Sequence, residues 1–103
     1  AMKTYWLALV ELSSQRSELR TGEPRGGIVW VIGAATTEEA FRSLVTEVHG
    51  FEGFVIHEWM ELAELDPGYR CDAFDGDEVV AELEASGLAL FVDEIQWYMA
   101  DDD

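Results

Sequence analysis

The chain has 103 residues, 49% of them apolar and four of them Trp, and its 22 acidic and 6 basic side chains leave a net charge of −16. That length fits one domain with one modest core, and the apolar content excludes a disordered acidic tail. The charge opposes binding to nucleic acid or anionic lipid, and no apolar run reaches the roughly eighteen residues of a membrane-spanning helix.

The charge is uneven. Residues 1–50 sum to −1 and residues 51–103 to −15, with Arg70 the one basic residue of the second half. Such a surface repels itself, at a cost in stability, and attracts a basic partner; solubility alone is the plainer account. Ala1 before Met2 reads as an addition ahead of the start. No charged region leads into an apolar segment, so no signal peptide is expected. With a single cysteine, Cys71, there is no intrachain disulfide, and these signs together suggest the cytoplasm.

In chain order, Tyr5 to Leu12 is aromatic and branched, with no charge before Glu11, and predicts a first strand covered on at least one face. Ser13 to Gly26 is polar, contains Gly22 and Pro24, and holds Arg16, Arg20 and Arg25; it reads as a long connecting loop. Gly27 to Gly33 is five apolar residues between glycines, a second strand. The Gly26-Gly27 pair is no phosphate cradle, because it leads into a strand and not into a helix N-terminus.

Thr36 to His49 is the clearest helix. Thr36 and Glu39 fit a capping box, and Ala40, Phe41, Leu44, Val45 and Val48 form one apolar stripe that Gly50 ends. Gly53 to Leu65 follows as a third strand with broken alternation. Both parities mix apolar residues with acid, which a bulge near Trp59 explains. The three-residue spacing of Glu58, Glu61 and Glu64 offers a competing reading as helical turns.

Asp66-Pro67-Gly68 is a turn, and Tyr69 to Asp75 is irregular. A short helix from about Asp77 to Ser86 is capped by Asp75 or Asp77, turns Val79, Val80 and Leu83 inward, and ends at Gly87. Leu88 to Met99 is a fourth strand, and Asp101 to Asp103 a solvated acidic tail. Residues 2–100 then form a single α+β domain in the order β-β-α-β-α-β. The expected architecture is a two-layer sandwich related to the ferredoxin-like arrangement, a four-stranded, mostly antiparallel sheet with two helices on one face.

The candidate chemistries are weak. His57-Glu58-Trp59-Met60-Glu61 lacks the second His of a zinc helix. Cys71 to Glu82 has Gly and Glu at the sixth and twelfth places of a calcium loop, but Cys71 and Ala73 stand where oxygen ligands belong. Carboxylate neighbours such as Asp93 and Glu94 are expected by chance in so acidic a chain, and no nucleophile–base set accompanies them. The expectation is a protein without enzymatic activity, cofactor or metal.

What remains is aromatic residues interleaved with acid, the composition of a protein interface. Trp59 and Tyr69 are the aromatics expected at the surface. The candidate partner-binding set is Glu58, Trp59, Glu61, Glu64, Asp66, Tyr69, Asp72, Asp75, Asp77 and Glu78. With its acidic run from Glu58 to Glu78, the chain resembles small bacterial immunity proteins of the contact-dependent growth inhibition type. That resemblance implies an inhibitor that binds a basic toxin domain, often a nuclease. The alternatives are a regulatory domain with a non-toxin partner and a carboxylate-based enzyme.

Overall fold

A computed structural model describes residues 4–16, 18–48 and 51–99. Strands β1 (Thr4–Ser14) and β2 (Pro24–Ala35) precede helix α1 (Glu38–Thr46), strand β3 (Phe54–Glu64) and helix α2 (Gly76–Ser86). Two short strands end the order, β4 (Leu90–Val92) and β5 (Gln96–Met99). The sheet runs β3-β1-β2, with β4 and β5 both paired to β2, and every pairing is antiparallel. The α+β class and the antiparallel sheet with two helices are as the sequence predicts. Among the described residues no helix is long and apolar enough to cross a membrane. His49, Gly50 and the tail Asp101 to Asp103 lie outside the described residues.

The expected fourth strand is two strands in line. β4 pairs with Val31 to Gly33 and β5 with Pro24 to Ile28. Between them Asp93 and Glu94 leave the ladder, and Asp93 N–H still donates to the Trp30 carbonyl at 3.0 Å. The first two strands are longer than predicted, and the loop between them correspondingly shorter. Ser13, Gly26 and Gly27 belong to the ladder. Within the loop Arg16 pairs with Glu23, whose carboxylate also accepts from Arg20 N–H at 2.9 Å.

Both parities of β1 and β2 are apolar, so both faces of the sheet need cover. On the first face Ala8, Val10, Leu12, Val29 and Val31 pack with Phe41 and Val45 of α1. On the second, Leu7 and Ile32 pack with Phe74 and with Val79 and Leu83 of α2. The core is therefore split by the sheet, and the expectation of both helices on one face is corrected. Helix order in the sequence carries no information about the face; the parity of Leu7 against Ala8 does.

Local signals set each helix. Thr37, in extended conformation, caps α1, its Oγ1 accepting from Ala40 N–H at 3.1 Å. The cap is thus one residue later than the Thr36–Glu39 box. Asp75 caps α2, accepting from Asp77 and Glu78 N–H, and Gly87 ends it with φ 74°. Gly33 is a point of close approach between β2 and the segment that leads into β4. A methyl there would stand 2.3 Å from Leu90 Cδ2 and 2.8 Å from the Ala89 carbonyl.

Helix and strand lengths decide what stays open. The 12 residues of β2 rise about 40 Å, while the 11 residues of α2 rise about 16 Å. α2 packs at the Leu7–Ile32 end of the second face, and Leu9, Ile28 and Trp30 further along it stay half-buried.

Candidate protein-binding face

β3 places the acid. Its register to β1 slips between Leu9 and Val10 and again between Glu11 and Leu12, leaving Met60 and His57 as extra residues. Two bulges thus flank Trp59, where the sequence predicts one. They let Phe54, Ile56, Trp59 and Leu62 all reach the first-face core despite their mixed parity. Glu58 and Glu61 are left on the second face, opposite Glu11 and Leu9. The segment is a strand, and the reading as helical turns is set aside.

The uncovered half of the second face follows from the registers. Leu9, Glu11 and Ser13 of β1 stand beside Glu61, Glu58 and Val55 of β3. On their other side they meet Trp30, Ile28 and Gly26 of β2, and β5 adds Gln96 and Tyr98. A depression of about 400 Å³ is floored by Leu9, Ile28 and Trp30 and walled by Cys71 to Ala73, Asp93, Glu94 and Gln96. A second, of about 310 Å³, adjoins it between Glu11, Ser13, Arg25, His57 and Tyr98.

The wall is pinned by its own contacts. Arg70 and Asp75 form a bridge and an ion pair at 3.2 Å. Cys71 N–H donates to the Phe74 carbonyl at 3.0 Å. The Phe74 ring stands 5.3 Å from Trp30 and 5.8 Å from Tyr69.

Glu11 and Glu58 are cross-strand neighbours, an arrangement of like charge that destabilises a sheet. The His57 Nε2 lies 3.9 Å from Glu11 Oε1. Burial pushes the Tyr69 hydroxyl above its ordinary pKa of 10.0, and the nearby Cys71 and Glu61 push it further.

The ten sequence-predicted residues divide three ways. Glu58 and Glu61 share the open face, with Asp72 on the rim of the depression. Trp59 and Glu64 lie on the first face. Trp59 is half-buried, with the Arg42 guanidinium 5.0 Å from its ring centre, and Glu64 pairs with Trp6. Tyr69 is also half-buried against Phe74, so neither predicted surface aromatic is freely exposed.

The remaining four shape the entry to α2. Asp75 is the cap, Asp77 Oδ1 accepts from Gly68 N–H at 3.0 Å, Glu78 N–H donates to Asp75, and the Asp66 carbonyl accepts from Tyr69 N–H at 3.1 Å. The calcium-loop pattern from Cys71 to Glu82 runs into α2 at Gly76, so its second half is helix and not loop. Among the described residues no three His, Cys, Asp or Glu side chains are grouped to hold a metal ion.

Sequence reasoning missed Leu9, Glu11, Ile28, Trp30, Asp93 and Glu94 as members of this face. Two signals were present: Glu11 is the first charge in an apolar strand, and Asp93-Glu94 interrupts another. Comparison with protein-family models, curated proteins and solved structures finds no match.

Proposed function

We propose that this chain is a non-enzymatic inhibitor of the immunity type, which covers a basic toxin domain with the open, acidic half of its second sheet face. The observation that carries the reading is the row Glu11, Glu58 and Glu61 beside an apolar floor. The Glu11–Glu58 juxtaposition costs stability in the free protein, and a cationic partner reverses that cost. A nuclease must present positive charge to phosphate, and carboxylates held on a rigid sheet can occupy that charge in place of the substrate. Steering between opposite charges raises association rates by roughly 10- to 10³-fold. The runner-up, a regulatory domain with a basic but non-toxic partner, uses the same face and differs in what the captured partner does.

The test is capture from the source organism at low and at high salt, followed by association kinetics with the retained domain. Glu58→Lys with Glu61→Lys is expected to slow association at low salt by at least tenfold. Glu39→Lys with Glu47→Lys, an equal charge change on exposed residues of α1 and its C-cap, is the control. Equal slowing by both pairs would reduce the effect to net charge and reject the face.

A further inference from the structure

Two tryptophans lie half-buried on opposite faces of the sheet. Trp59, on the first face, has the Arg42 guanidinium 5.0 Å from its ring centre, the one such cation–ring contact among the described residues. Trp30, on the second face, has Phe74 against it at 72° between ring planes and the 400 Å³ depression above it. The floor beside Trp30 is aliphatic, from Leu9 and Ile28, and the rim is acidic, from Asp72, Asp93 and Glu94.

We infer that this depression seats an arginine side chain of the basic partner, with its guanidinium at Trp30 and within reach of the rim carboxylates. The inference rests on the proposed function and adds to it the residue type recognised. Arginine fits each part of the site. Its aliphatic stem can lie along Leu9 and Ile28 while the charged head stays at the rim. Its planar, weakly hydrated guanidinium stacks on indole and pairs with carboxylates, whereas a lysine ammonium is a compact, strongly hydrated point charge. Arg42 on Trp59 is the same pairing made within the chain.

The test is a titration of ¹⁵N-labelled protein with acetyl-Gly-Arg-Gly-amide, its lysine counterpart and its uncharged citrulline counterpart, followed by NMR. The arginine peptide is expected to shift the Trp30 indole N–H and the Leu9 and Ile28 amides saturably. It should bind roughly two- to fivefold more tightly than the lysine peptide, the usual scale of a partly exposed cation–ring contact. The citrulline peptide should give no saturable shift. Asp93→Asn with Glu94→Gln should weaken the arginine peptide several-fold, and Trp30→Phe, which keeps a ring against Phe74, should narrow its preference over lysine.

Equal binding of arginine and lysine peptides, or shifts confined to the Glu11–Glu58 row with the Trp30 indole unmoved, would overturn the seat. The two readings fail separately. Loss of partner association in the Glu58→Lys, Glu61→Lys protein with no peptide at Trp30 removes the seat and keeps the face. Saturation at Trp30 with partner kinetics indifferent to those substitutions keeps the seat and removes the proposed function.

Discussion

Phe41 and Leu9 lie on opposite sides of the same sheet, and their surroundings differ. Above the first face α1 presses Phe41 and Val45 onto Ala8, Val10 and Val31, all fully buried. Trp6 stacks on Phe41 at 6.5 Å and donates its indole N–H to the Ala35 carbonyl at 3.1 Å. Even the arginine nearest that face, Arg42, is occupied by Trp59 and by Glu38 at 3.4 Å. On the second face α2 buries Leu7 and Ile32 and stops, and the next rows outward are Leu9 with Glu61 and Glu11 with Glu58. The first face is largely used up by folding, with Trp97 beside Phe54 left exposed at its edge. The other keeps an apolar floor and a row of acid, which are the two ingredients a partner can use.

The contrast breaks most readily at Phe41. Phe41→Ala removes a ring with no solvent exposure, and truncations of that kind cost about 3–5 kcal/mol. Leu9→Ala, at a half-buried position on the open face, should cost about 1 kcal/mol. Urea unfolding of the two variants measures the ratio directly. Similar losses would mean that the second face is packed as tightly as the first, and that it offers no free surface to a partner.

The sequence told much of this, and its silences have physical causes. Tyr5 to Leu12 predicts a strand covered on at least one face; that both faces are covered shows only in the packing, because the helices' periodicities do not say which face each takes. The broken alternation of β3 announced a bulge. Only the pairing partner shows that there are two, because a bulge is a mismatch between strands and not a property of one. Thr36 and Thr37 are both competent caps, and the choice depends on where β2 releases the chain after Ala35. Asp75 and Asp77 serve the entry to α2, a role that the sequence does not separate from that of a surface carboxylate. The opposition of Glu11 and Glu58 joins residues 47 positions apart, so no local pattern shows it.

That opposition gives a smaller, oppositely signed effect. Glu58→Gln removes the like-charge pair while keeping the side chain's shape, and should stabilise the free protein by about 0.2–1 kcal/mol. The gain should shrink as salt screens the pair. The same substitution should slow partner association, so stability and binding move in opposite directions at one residue. A Glu58→Gln protein that is less stable than the parent at low salt would show that Glu11 and Glu58 are not in repulsion, and the carrying observation for the binding face would be lost.

The smallest effect tests the placement of Glu61. The Tyr69 hydroxyl is raised above 10.0 first by burial, then by Cys71 and Glu61. Tyr5 is raised first by burial, then by Glu84 through its charge and a hydrogen bond. In both cases the folded chain holds the phenol proton to higher pH than the unfolded chain does. The stability they contribute is therefore complete below pH 10 and is lost as pH rises from there through the folded values. Glu61→Gln should lower the Tyr69 midpoint slightly, because burial and Cys71 remain, and should leave Tyr5 where it was. An NMR pH titration of ¹³Cζ-labelled tyrosine resolves the two. If Tyr69 is unmoved, Glu61 does not face the Tyr69 wall, and the bulge at Met60 has not turned it to the second face. If Tyr5 moves as well, the response is a change in the field of the whole acidic surface and carries no information about place. Only the selective shift ties the charge of Glu61 to Tyr69 in particular.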